Sequence, residues 1–186
     1  MNNNSKAELR SRMRQIWQKQ MPLKAHLQRQ LESRLHEFLQ SQNGMWASYS
    51  ALNDEPDPQI VCEKNQHLQW SYPRLIGDGQ MQMFSVLAEM QNWTRNQFGV
   101  LEPSEKLSLV LPQQFDGLII PGVVFNNNGV RLGRGKGYYD RYLCQSRGIK
   151  VGLCFSFQLL KEEIPHEAHD VRMDFIITEL EIHKCN

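Results

Sequence analysis

The chain has 186 residues, long enough to bury roughly 70% of its unfolded surface, so it needs neither disulfides nor a structural metal to hold a core. A hydrophobic share of 40% and a charged share of 22% are ordinary for a globular protein. Lys and Arg number 21 against 20 Asp and Glu, a formal charge of +1, which argues against duplex nucleic acid or an anionic membrane as the main partner.

Ser5-Lys6-Ala7-Glu8 has the form of a capping box, and Leu9, Met13, Ile16 and Trp17 then share one helical face. Pro22 ends this helix or starts the next, which carries the stripe Leu27, Leu31, Leu35 and Leu39 and stops at Asn43-Gly44. Met45 to Ser50 reads as a strand, 53–58 as a loop and 59–65 as a short helix. Strands are expected at Leu68–Tyr72 and, past the turn Gly77-Asp78-Gly79, at Met81–Leu87. Residues 89–114 show no period and read as an irregular excursion. Gly117 to Phe125 is apolar without alternation, as a buried parallel strand should be. Tyr138 to Arg147 reads as a helix closed by Gly148, and Val151–Phe155 and Phe175–Thr178 as two further strands. Alternating strands and helices, with no repeat and no linker, predict one α/β layered domain over 1–186 with a largely parallel central sheet flanked by helices.

The apolar run around Gly117 is broken by Pro121 and is too short to span a membrane, and Met1 to Lys6 has no apolar signal core. Cys62, Cys144, Cys154 and Cys185 have no pairing or metal-ligand spacing and read as reduced thiols of a cytoplasmic protein.

The informative segment is Arg131-Leu132-Gly133-Arg134-Gly135-Lys136-Gly137-Tyr138-Tyr139-Asp140-Arg141. Alternating glycines let a backbone turn its amides toward an anion, a following helix start adds positive potential, and Arg134 and Lys136 add full charges. This suits a polyphosphate, and Asp140 suits the metal ion that accompanies one. It is neither a Walker A loop, since position 130 is Val, nor GxGxxG, since Tyr138 stands in place of the third Gly. A glycine-rich surface turn with solvated cations is the plain alternative.

This segment resembles the signature of the 5-formyltetrahydrofolate cyclo-ligase family, also called 5,10-methenyltetrahydrofolate synthetases. The preceding Gly117–Phe125 run, the opening Lys6-Ala7-Glu8-Leu9-Arg10, Phe98-Gly99-Val100-Leu101-Glu102-Pro103, and the tail from Pro165 through His169-Asp170 to Asp174 are similar to other stretches of that family, in the same order. Glu55 departs from the family's pattern, because Pro56-Asp57-Pro58 follows it where a Thr-rich helix start is usual.

The resemblance implies a Rossmann-like fold similar to the sugar-phosphate isomerase and CoA-transferase group. It also implies cyclisation of 5-formyltetrahydrofolate, polyglutamylated or not, to 5,10-methenyltetrahydrofolate with ATP and Mg²⁺ by a monomer. In that reading Lys6, Arg10 and residues Arg131, Leu132, Gly133, Arg134, Gly135, Lys136, Gly137, Tyr138 and Tyr139 bind ATP, with Lys136 and Arg134 catalytic. Ser50, Glu55 and Phe98, with Arg134, Gly135, Lys136, Gly137 and Tyr138, contact the folate. Asp140 and Asp170 hold the metal. Each has a simpler alternative: a solvated helix face for Lys6 and Arg10, a cap for Asp170, an exposed loop acid for Glu55, core packing for Phe98. Asp174 and Trp17 read as structural. The rival functions are a sugar-phosphate isomerase or CoA-transferase relative, and a non-catalytic nucleotide- or RNA-binding module in which Tyr138 and Tyr139 stack on bases.

Overall fold

A computed structural model describes residues 5–77, 79–86, 93–167 and 170–185. Helix α1 (Lys6–Gln20) begins at the capping box, with Ser5 Oγ accepting from Glu8 N and Glu8 Oε2 accepting from Ser5 N. A single 3₁₀ turn holding Pro22 leads into α2 (Lys24–Leu39). Strand β1 (Met45–Ala47), helix α3 (Gln59–Lys64) and the antiparallel pair β2 (Gln69–Leu75) and β3 (Met81–Val86) follow. Then come three two-residue strands, β4 (Thr94–Arg95), β5 (Leu101–Glu102) and β6 (Leu109–Val110). Next are β7 (Gly117–Pro121), β8 (Val124–Asn126), β9 (Arg131–Leu132) and helix α4 (Tyr138–Leu143). Strands β10 (Ile149–Leu153), β11 (Leu159–Leu160), β12 (Phe175–Ile177) and β13 (Ile182–Lys184) complete the order.

The main sheet runs β13-β12-β10-β7-β1-β2-β3-β6. Its middle strands, from β12 to β2, pair in parallel, while β13, β3 and β6 add antiparallel margins. Alternation along β7 sorts the core onto two faces. Ile119 packs with Trp17, Leu31, Leu35 and Leu39 of α1 and α2, whereas Leu118 and Ile120 pack with Tyr142 and Leu143 of α4. Among the described residues, no helix is long and apolar enough to cross a membrane. The four cysteines are free thiols.

The structure corrects several expected boundaries. The apolar run Gly117–Phe125 is two strands, not one. Pro121 offers no amide to continue the ladder and the chain bends at Val123, so β8 leaves the main sheet and joins β9 and β11 in a small three-stranded sheet. Helix α4 ends at Leu143 rather than Arg147. Strand β2 continues through Pro73, which pairs opposite Met83. The stretch expected to be irregular holds β4, β5 and β6, and positions 87–92 lie outside the described residues, as do Asp78 and His169.

Helix α1 is docked by aromatic packing, with Trp17 edge-on to Phe155 at 5.6 Å and to Phe157 at 5.1 Å. Phe155 is fully buried just past β10. Phe155→Ala is therefore expected to destabilise the protein by about 3–5 kcal/mol, the usual cost of emptying such a site. Urea unfolding checks this, and a loss below about 1 kcal/mol would show that the hollow refills from Trp17 and Phe157.

Candidate active site

A cavity of about 690 Å³ opens beyond the carboxyl ends of the parallel strands, where open α/β sheets bind ligands. Tyr49 and Ser50 enter it from the end of β1, Pro121 and Gly122 from the end of β7, and Pro73 and Leu75 from β2. The glycine-rich segment closes one side and α1 crosses it, so every site residue named from the sequence lines this one cavity.

The glycine segment owes its shape to two backbone angles. Gly135 has φ +93° and Gly137 φ +67°, values that a side chain resists. A Cβ on Gly137 would also meet the Arg141 guanidinium at 2.6 Å. Between these glycines Lys136 is exposed, and its ammonium has no hydrogen bond or ion pair among the described residues. The Lys136 carbonyl accepts from Arg141 Nη2 at 2.8 Å, and Arg141 Nε reaches Gly79 O at 3.1 Å, tying the segment to the β2–β3 turn.

The other cations are engaged. Arg10 Nε donates to Gly133 O at 2.8 Å. Lys6 Nζ pairs with Glu167 Oε1 at 2.8 Å and Asp170 Oδ2 at 3.1 Å. Burial alone would lower the Lys6 pKa, but its two carboxylate partners outweigh it and hold the ammonium above its ordinary value. Arg134 reaches across the cavity to Glu55 Oε1 at 3.0 Å and to Asp54. Arg131 and Leu132 are buried in β9 and supply the cavity wall. The Arg131 guanidinium bonds Pro121 O at 3.2 Å and Asp140 Oδ1 at 2.8 Å, and lies 5.5 Å over the Tyr139 ring. Burial pushes the Tyr139 hydroxyl well above the usual tyrosine pKa, with the nearby Glu55 charge adding to it.

Glu55 is not an exposed loop acid. It is 6% exposed, with Oε2 accepting from Leu52 N at 3.0 Å and Oε1 from Arg134. The proline loop beside it is fixed by Tyr49 Oη donating to Pro56 O at 2.7 Å. Phe98 is 46% exposed on the cavity rim and is not core. Ser50 Oγ donates to Leu101 O at 2.7 Å, and Tyr138 lies under Arg141 with 5.8 Å between guanidinium and ring. Asp174 accepts from Lys150 N at 2.7 Å and is structural, as expected.

The two carboxylates expected to hold a metal both face the cavity. Asp140 gives one oxygen to Arg131, and its Oδ2 has no hydrogen-bond partner among the described residues. Asp170 Oδ2 accepts from Lys6 and from Glu167 N. No group of three or more His, Cys, Asp or Glu placed to hold a metal ion occurs among the described residues. Two hard oxygen donors without a protein cage fit Mg²⁺, which keeps waters and phosphate oxygens as its other ligands.

The sequence reading gave no role to Arg141, at the end of the segment, and missed Asp54 and Glu167, whose side chains meet the site from outside the motif. Arg141 had a signal: a cation in the first turn after Gly137 can reach back over the loop.

The site thus belongs to a nucleotide- or phosphate-handling α/β enzyme with an apolar recess beside its cationic segment. A family model described as the 5-formyltetrahydrofolate cyclo-ligase family matches residues 2–179. The chain belongs to this family of ATP-dependent ligases. It is 30% identical to the 5-formyltetrahydrofolate cyclo-ligase of Mycoplasma pneumoniae over 177 residues, 89% of this chain and 95% of that one. It is 34% identical to the Schizosaccharomyces pombe protein named "Probable 5-formyltetrahydrofolate cyclo-ligase" over 120 residues, which is 57% of this chain and 59% of that one. Among solved structures, Aquifex aeolicus 5,10-methenyltetrahydrofolate synthetase superposes with a TM-score of 0.80 at 30% identity, covering 96% of this chain and 92% of that one.

Proposed function

We propose that the chain closes 5-formyltetrahydrofolate to 5,10-methenyltetrahydrofolate, with ATP spent to ADP and phosphate and with Mg²⁺ at Asp140 and Asp170, acting as a single cytoplasmic domain. The observation that carries this reading is the unpaired Lys136 ammonium between two left-handed glycines, in a cavity that also holds both carboxylates and an apolar recess.

The formamide oxygen is a poor leaving group until it is phosphorylated. In the first step that oxygen bonds to the γ-phosphorus and the bond from this phosphorus to the β–γ bridging oxygen breaks, releasing ADP. N10 then bonds to the formyl carbon and loses its proton, and the C–O bond breaks to release phosphate. The chain's contribution is alignment and charge. Loop amides and Lys136 bind the transferring group. Arg134 stands between that group and Glu55, and Glu55 faces the ring donors of the folate. Asp140 and Asp170 would hold the metal, which when bound would neutralise phosphate charge.

The test is a mixture of ATP, Mg²⁺ and 5-formyltetrahydrofolate followed by the near-ultraviolet absorbance of the methenyl product. No product, or ATP hydrolysis indifferent to the folate, ends the reading. Asp140→Asn and Asp170→Asn are each expected to raise the Mg²⁺ concentration for half-maximal rate about tenfold or more, since each replaces one of few charged protein ligands with a neutral oxygen. Unchanged magnesium titrations in both variants would remove the metal assignment.

A further inference from the structure

The cavity has two unlike halves. Its cationic side is formed by the glycine segment and α1, and its other side by Pro73, Leu75, Met81, Phe98 and Val100. Set into that second, apolar side is a carboxylate that the mechanism above does not use. Glu102, on β5, is 5% exposed and lines the cavity. Its Oε1 takes two hydrogen bonds, from Leu75 N at 3.0 Å and from Asn96 Nδ2 at 2.6 Å. Its Oε2 takes none among the described residues, and it is not among the side-chain oxygens and nitrogens sealed from solvent without a partner. Asn96 is itself fixed, its Oδ1 accepting from Phe98 N at 2.8 Å and Val100 N at 3.1 Å.

A buried carboxylate oxygen without a donor is costly, and the cost is recovered when a ligand brings one. Here one oxygen is locked by the fold and the other is left reachable at the cavity wall. Apolar walls accept a flat ring, and a single fixed acceptor among them selects a ring with an N–H donor at its edge. Glu55, by contrast, has one hydrogen bond on each oxygen.

We infer that Glu102 is a specificity-determining residue for the folate. Its Oε2 accepts a hydrogen bond from the amino-pyrimidinone edge of the pterin, through the exocyclic amine, while Asn96 and Leu75 N hold the carboxylate in place. This rests on the reading that 5-formyltetrahydrofolate occupies this cavity. A ring without that donor leaves a buried oxygen unpaired, and so is rejected.

Glu102→Gln tests the assignment. Gln keeps one acceptor for Leu75 N and Asn96 but puts an amide NH₂ where Oε2 stood, facing the ligand's own donor. The expected result is a rise of about tenfold or more in folate KM with ATP KM within about twofold. The second readout uses an analogue of the substrate whose exocyclic amine is replaced by hydrogen. Wild type should bind it about tenfold more weakly than the substrate, and Glu102→Gln should bind the two alike. An unchanged folate KM overturns the inference, as does an equal preference for the amine in variant and wild type. If Glu102→Gln fails to fold, Glu102→Asp, which keeps the charge but withdraws it by one methylene, is measured in the same way. Lack of discrimination by wild type itself also overturns the inference. A wild type that turns over no 5-formyltetrahydrofolate would instead fail the underlying reading, so the two failures are distinct.

Discussion

A folded Lys136→Ala protein is expected to turn over at about a hundredth of the wild-type rate or less. The magnitude comes from the roughly 3 kcal/mol that one charge-stabilising donor supplies in a transition state, which converts to about two orders of magnitude in rate. The structure explains why the fold should survive. Lys136 is exposed and its ammonium has no partner among the described residues, so its truncation removes no contact that holds the segment. The loop is shaped instead by Gly135 and Gly137 and by Arg141 on the Lys136 carbonyl. Single-turnover rates together with a thermal melt make the check. Near-normal turnover with an unchanged melt would mean that Arg134 or the loop amides neutralise the phosphoryl group without Lys136.

The second large effect is expected at Glu55. Glu55→Gln keeps the size and one acceptor of the side chain but loses a charge-assisted bond worth about 1.5–3 kcal/mol, a tenfold to roughly hundredfold change in affinity. The prolines after Glu55 stiffen its loop without displacing it. Tyr49 anchors Pro56 O, and Glu55 remains in the cavity wall. If Glu55 holds the folate ring, its KM rises by that factor and the ATP KM moves by less than about threefold. The present contact with Arg134 Nε defines the contrary outcome. Should Glu55 serve only to hold Arg134, the ATP KM rises and the folate KM does not. Measuring both constants in one variant separates the two.

Features carried by a single element were legible in the sequence. The Ser5–Glu8 cap reports its own helix start, and the leucine stripe of α2 and the unbroken apolar run of β7 report their own burial, because period and capping are local properties. The glycine segment was legible because its residue types have few other uses. Strands of two residues, such as β4, β5 and β6, are too short to show a period, and β13 pairs with β12 at an edge where burial is partial. Partner choice was not legible at all. That Asp140 faces Arg131, that Arg134 crosses to Asp54 and Glu55, and that Glu102 keeps one oxygen open follow from the fold that brings distant segments together. Residue type at those positions indicated chemistry, while the geometry decided which carboxylates are already engaged.

The contacts of α1 bear on how the protein is made. Lys6 meets Asp170, 164 residues later in the chain, Arg10 meets Gly133 across 123 residues, and Arg12 meets Glu162 across 150. On a ribosome this helix emerges more than a hundred residues ahead of the surfaces it closes over. Its amphipathic face, with Leu9, Met13 and Trp17, must wait for those later segments before it finds its seat. Such long-range closure slows folding and exposes apolar surface meanwhile. A chain that stops short of residue 170 carries the whole glycine segment but lacks Asp170, one of the two carboxylates that face the cavity.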